Sequence, residues 1–247
     1  MALLSASVFP YLLASPTPAA ATAFPGSCPH GAPNHYGSTG CFNDGVWMAG
    51  IWGTWHNNYT SVSFSNNFYP YHIDNRMWGY TEGDESRWIE IGLRNGYDGA
   101  NPCRCVAYEA TWSDVDGNLT TNPEIRYMIN PSDTPDGSTH SYEVLAQCNG
   151  LCPQWDVYYD YNYVGSSQLQ HNGNMYDHQV GLETTLLDGA HADNFDNYVE
   201  YLDTGLTWRY WPNEYAWVDR GCGSGYSPPT CLNGTSYGLS EWSDSKP

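Results

Sequence analysis

From Val46 onwards the chain alternates short aromatic and β-branched runs with turn residues, at intervals of roughly ten positions. That rhythm predicts a sandwich or barrel of antiparallel strands rather than βαβ units. Arg87–Leu93 (RWIEIGL) alternates cleanly, with Ile89, Ile91 and Leu93 on one face and Trp88, Glu90 and Gly92 on the other. Gln179–Leu186 (QVGLETTL) repeats the pattern, with Gln179, Gly181 and Glu183 opposed to Val180, Leu182 and Thr184. Val46–Trp55 and Tyr59–Phe64 read as early strands joined at His56, Asn57 and Asn58. Cys105–Trp112 follows, ending near the tight-turn dipeptide Asp116-Gly117. Tyr142–Gln147, Trp155–Tyr159 and Tyr163–Ser166 come next, the last two joined by Asp160, Tyr161 and Asn162. Ala192–Leu202 is the best helical candidate, although its Tyr and Val residues equally suit a strand.

Composition fits this picture and narrows the partners. The chain has 247 residues, of which 40% are hydrophobic, so it can bury a core. Eleven Trp and 21 Tyr against 6 Phe favour rings with a polar tip, suited to half-exposed sheet faces and binding surfaces. A net charge of −19 repels phosphate backbones and excludes nucleic acid as a natural partner. No run of about 18 apolar residues follows the N-terminal segment, so no membrane span is expected.

Export is expected from two features. Residues 1–23 carry apolar positions and then a small-residue stretch ending Ala21-Thr22-Ala23, an A-x-A cleavage signature that lacks a basic n-region. The eight cysteines, an even count, read as a disulfide framework: Cys28, Cys41, Cys103, Cys105, Cys148, Cys152, Cys222 and Cys231. The expected pairs are Cys28–Cys41 and Cys222–Cys231, with Cys103 and Cys105 bonded to Cys148 and Cys152. Zinc on the latter four thiolates is the rival, although the C-x-C spacing is unusual for it. Residues 24–247 read as one domain, with a stapled N-terminal segment and a C-terminal tail from about residue 216.

The hairpin of Trp155-Asp156-Val157-Tyr158 and Tyr163-Val164-Gly165-Ser166-Ser167 resembles a unit of concanavalin A-like β-sandwiches. In these folds one strand carries W-x-V and its partner ends in V-G-S. The order of His72–Trp78, Trp88–Gly92, Tyr108-Glu109, that hairpin and Val180–Glu183 is similar to secreted actinobacterial proteins of this fold. The resemblance covers roughly residues 46–190 and implies two antiparallel jelly-roll sheets packed face to face, with any site on the concave one. The same fold serves glycosidases, polysaccharide lyases, lectins and glutamic peptidases, so it names no activity.

Candidate chemistry sits on the polar faces of the alternating strands. Glu90 and Glu183 are the leading catalytic carboxylates and Glu109, flanked by Tyr108 and Trp112, is a third. Two carboxylates across a groove can act as acid and base, or acid and nucleophile; a strand Glu off the core face can equally be merely solvated. Laminarinase-like members of the fold carry E-x-D-x-x-E or E-x-D-x-E on one strand, whereas Glu90 stands alone in Ile89-Glu90-Ile91-Gly92-Leu93. Glutamic peptidases use a Glu with a Gln, or two Glu residues. Gln179 and Glu183 lie roughly 13 Å apart along one strand, too far to pair with each other. Glu90 with Glu183 or with Gln179 is therefore the arrangement that matters. Gln179, Trp78, Trp88, Trp112 and His72 are the candidate substrate-binding residues, with His72 better suited to a turn or edge beside Asp74-Asn75. Asp114-x-Asp116-x-Asn118 hints at calcium, but the Gly117 position suits a hairpin turn better. No metal or cofactor is assigned. Serine-hydrolase, zincin and nucleotide motifs do not occur.

Three functions remain: binding or cleavage of an extracellular polysaccharide on an aromatic, acidic face; acid-acting glutamic peptidase activity using the same carboxylates; and a structural or adhesive role without catalysis.

Overall fold

The computed structural model describes residues 36–42, 47–56, 72–83, 86–96, 106–119, 124–129, 137–184, 192–210, 215–218, 230–234 and 238–243. These residues form a two-sheet antiparallel β-sandwich. The first sheet runs in spatial order β13 (Tyr215–Val218), β1 (Tyr36–Phe42), β10 (Asp177–Thr184), β3 (His72–Tyr80), β4 (Arg87–Gly96), β5 (Val106–Asp116) and β6 (Glu124–Met128). The second runs β14 (Thr230–Gly234), β15 (Gly238–Ser243), β11 (Ala192–Asp203), β2 (Met48–His56), β7 (Thr139–Ala146), β8 (Trp155–Tyr159) and β9 (Asn162–Ser166). A short strand, β12 (Trp208–Tyr210), also pairs with β11.

Alternation decides which side of each strand is buried. In β4, Ile89, Ile91 and Leu93 face the core, where they join Met77 of β3, Val180 of β10 and Trp112 of β5. The second sheet contributes Ile51, Tyr142, Val144, Trp155, Val157 and Val199 from β2, β7, β8 and β11. Each such side chain is worth about 1.5–3 kcal/mol when removed from water. Trp112 stacks on Tyr127, with ring centroids 4.0 Å apart. Gly165 of β9 closes over its indole, and a Cβ there would lie 2.7 Å from the ring. The glycine of the V-G-S ending is thus a packing requirement across the two sheets.

Ala192–Leu202, open between helix and strand from its sequence, is strand: β11 pairs with β2 on one side and with β15 and β12 on the other. Its Tyr and Val residues suit that half-buried ladder. His72, Asp74 and Asn75 lie inside β3 and do not form a turn. Cys148 and Cys152 are bonded to each other across the tight turn between β7 and β8, with their Cα atoms 5.4 Å apart. They do not bridge to Cys103 and Cys105, and the four-thiolate zinc reading loses two of its ligands. The expected strand Tyr59–Phe64, the N-terminal 1–23 segment, and Cys28, Cys103, Cys105 and Cys222 lie outside the described residues; Cys41 and Cys231 are placed only by backbone, in β1 and β14.

One end of the sandwich is closed by the connection from β9 to β10. Asp114 points inward from β5 and accepts hydrogen bonds from the Gln168 and Leu169 amides at 2.6 and 2.8 Å. Its other oxygen meets His171 Nε2 at 2.6 Å, and His171 Nδ1 lies 3.0 Å from Thr81 Oγ1. Burial pushes the Asp114 carboxyl up, but the His171 hydrogen bond and the two amides outweigh it and hold it below its usual value. From the second sheet, Trp155 donates its indole N–H to the Asn172 carbonyl at 2.9 Å. Asp116 turns instead to Arg87 at 2.9 Å and to the Asn118 amide at 3.0 Å, as a hairpin turn requires.

Two outcomes follow from this packing. Gly165→Val forces Trp112 aside and should cost about 1–3 kcal/mol of stability, read as a lower denaturation midpoint with unchanged slope; an unchanged midpoint contradicts the contact. His178 is fully buried on the core side of β10, and burial pulls it down to about 3. The unfolded chain binds this proton near pH 6.5 and the folded chain does not. Stability should therefore be intact above pH 6.5 and fall between pH 6.5 and about 3, by at most about 1.4 kcal/mol per pH unit from this residue. Denaturant titrations at pH 7 and 4 should show a smaller loss for His178→Leu than for the unchanged chain, and equal losses would refute the assignment.

Candidate functional site

The outer face of the first sheet is unusually polar for a surface withdrawn from solvent. Strand register places Gln179, Trp78, Glu90 and Ser113 in one row across β10, β3, β4 and β5. The next row holds Gly181, Arg76, Gly92 and Thr111. All eight positions are buried.

Arg76 organises them. Its guanidinium forms an ion pair with Glu90 and donates to Thr111 Oγ1 and, at 3.3 Å, to Ser113 Oγ. Thr111 is two strands away, and the intervening position is Gly92, which offers no side chain to block the path. The glycine in the IEIGL run therefore serves the arginine. The second Glu90 oxygen accepts the Trp88 indole N–H at 3.2 Å. The Arg76 side chain is 0% exposed and that of Glu90 11%, so the carboxylate is the end of the pair that meets solvent. Two polar contacts hold Glu90 in place, and its oxygens keep lone pairs for a further donor.

Gln179 lies in the same row as Glu90 with only Trp78 between them, roughly 10 Å apart at the backbone for two strand spacings. Its amide donates to Asp177 Oδ2 at 3.2 Å. Trp88 stands beside Glu90, with its ring 5.9 Å from that of Tyr80. Trp78 and Trp88 thus both belong to this face.

Other candidates are not brought to Glu90. Glu183 is paired with Asp74, four residues along β10 from Gln179, which puts its backbone roughly 16 Å from that of Glu90. Carboxyl groups paired in a glycosidase are about 5–9.5 Å apart, and the register sets Glu183 in a different row from Glu90. Glu109 is paired with Arg94 in the same distant row, and the side chains of Glu183 and Glu109 lie outside the described residues. His72 begins β3, six residues and roughly 20 Å from Trp78. Trp112 is 1% exposed on the core side, which withdraws it from substrate binding. Sequence reading missed Arg76, Thr111 and Ser113. The usable signal was a basic residue, rare in this chain, next to the core position Met77 in a strand.

No family model matches the chain, and no curated protein matches it. Among solved structures it is similar to scytalido-glutamic peptidase bound to a transition-state analogue, at 11% identity and a TM-score of 0.47, covering 83% of this chain and 97% of that one. It is also similar to the Bacillus licheniformis β-glucanase, at 12% identity and a TM-score of 0.34, covering 81% and 68%. A third is the carbohydrate-binding module CBM66 from Bacillus subtilis, at 10% identity and a TM-score of 0.30, covering 60% and 74%. Likenesses of this size assign no activity.

The ion pair itself can be tested apart from any chemistry. Arg76→Met or Glu90→Leu alone breaks a buried ion pair and should cost about 3–5 kcal/mol, whereas the double variant should recover most of that loss. Equal and additive losses in denaturant titrations would show that the two residues are not coupled.

Proposed function

We propose that the protein is a secreted hydrolase of extracellular polymers that cleaves peptide bonds with a carboxylate–amide pair, Glu90 and Gln179. The carrying observation is their placement in one row of the first sheet with only Trp78 between them. In this reading Glu90 takes a proton from a water held between the two tips, and the hydroxide attacks the peptide carbonyl carbon. The Gln179 amide donates to the developing oxyanion. Collapse of the tetrahedral intermediate breaks the C–N bond, and Glu90 returns the proton to the leaving nitrogen. Secretion is supported by the Ala21-Thr22-Ala23 signature and by the Cys148–Cys152 disulfide, a bond favoured in oxidising compartments.

A second reading, polysaccharide binding or cleavage on the same face, draws on the Tyr80–Trp88 ring pair beside Glu90. Its second carboxylate is not supplied from the Glu90 row, since Glu183 lies four residues further along β10 than Gln179.

Casein and a panel of polysaccharides, assayed from pH 3 to 7, separate these readings. The expected result is peptide release without sugar release. Glu90→Gln should lower kcat by about 10²–10⁴-fold and Gln179→Ala by about 10²–10³-fold, each in a sample whose circular dichroism matches the unchanged protein. Sugar release without peptide release supports the second reading. Silence on both substrates contradicts hydrolysis and favours a structural or adhesive role.

A further inference from the structure

The outer face of the second sheet carries a different row. Across β12, β11, β2, β7, β8 and β9 the register aligns Tyr210, Glu200, Trp52, Glu143, Tyr158 and Tyr163. Six adjacent strands give this row a length of roughly 24 Å. Its ends are open, with Tyr210 55% and Tyr163 59% exposed, and its centre is half-buried. Aromatic and acidic positions alternate over most of its length, so rings separated by one carboxylate are roughly 10 Å apart.

One end is held in a fixed arrangement. Tyr158 and Tyr163 meet edge to face at 5.9 Å. The Tyr163 hydroxyl lies 2.8 Å from Ser166 Oγ, which donates to Asp156 at 2.5 Å, and the Gln147 amide donates to the same carboxylate oxygen at 2.7 Å. Rings set in this way lose little freedom when a ligand lies on them.

We infer that this row is a docking surface for a neutral polysaccharide, separate from the Glu90 face. Sugar rings present apolar C–H faces that stack on Trp and Tyr, and hydroxyls that donate to carboxylates; the row offers both in alternation. The ring-and-carboxylate alternation suits a neutral sugar chain, and charge disfavours an anionic one: the row contains no Lys or Arg, and the chain carries −19. The glycan surface and the hydrolytic face lie on opposite sides of the sandwich, so one can hold the protein on a polymer while the other works.

The test is retention of the full chain on insoluble cellulose, chitin, β-1,3-glucan and xylan. Retention on at least one is expected. Tyr163→Ala and Tyr210→Ala, both at exposed positions, and Trp52→Ala should each weaken it by at least about tenfold, or roughly 1.4 kcal/mol. Glu90→Gln should leave it unchanged while lowering peptide release about 10²–10⁴-fold. No retention on any of the four overturns the inference, as does retention that the three row variants leave intact. Retention lost with Glu90→Gln would move binding to the other face. Self-association in gel filtration that Tyr163→Ala abolishes would make the row an interface between copies instead.

Discussion

The first sheet is organised around a buried cation. Arg76 is fully enclosed, and a guanidinium has five N–H donors and no neutral state to retreat to. The fold must bring acceptors to it, and it does so from the next two strands of the sheet: Glu90 from β4, and Thr111 and Ser113 from β5. A one-residue slip of β4 or β5 would turn those acceptors into the core and expose Ile89, Ile91 and Leu93. Burial of the arginine therefore enforces the register that the hydrophobic pattern already favours. It also fixes Glu90, and through Glu90 and Trp88 the geometry of the proposed site.

The two outer faces resemble each other in plan and differ in burial. On the first sheet a Trp separates a carboxylate from an amide, at Glu90, Trp78 and Gln179. On the second a Trp separates two carboxylates, at Glu200, Trp52 and Glu143. The first row is buried and cross-linked by an arginine, as chemistry on water requires of positioned groups. The second is half-open and ends in exposed tyrosines, as a surface that meets a long chain requires. Burial pushes the Glu143 carboxyl up, yet no cation stands in its row.

Strand alternation made much of the fold legible. RWIEIGL and QVGLETTL show their core and polar faces directly, because side-chain direction has a period of two and the polar face was not masked by charge runs. The hairpin at Asp160 and Tyr161 was equally readable, both residues adopting positive φ in a tight turn. What alternation cannot show is which strands lie side by side. Glu90 and Gln179 share a row only because β3 lies between β4 and β10, a long-range pairing that no local pattern records. For the same reason Glu183 looked as good a partner as Gln179, and Trp112, whose strand parity faces inward, looked available for a ligand. The Cys148–Cys152 bond was missed for a different reason: eight cysteines leave connectivity open, and a short turn closes more easily than long-range pairing suggests.

Everything proposed for the first sheet turns on whether Glu90 and Gln179 address one water. A high-resolution crystal structure of the free protein would measure this directly. A single ordered water within about 3 Å of both a Glu90 oxygen and the Gln179 amide nitrogen is the expected result. Side-chain tips too far apart to share a water, or a Glu90 carboxylate wholly occupied by Arg76 and Trp88, would contradict it.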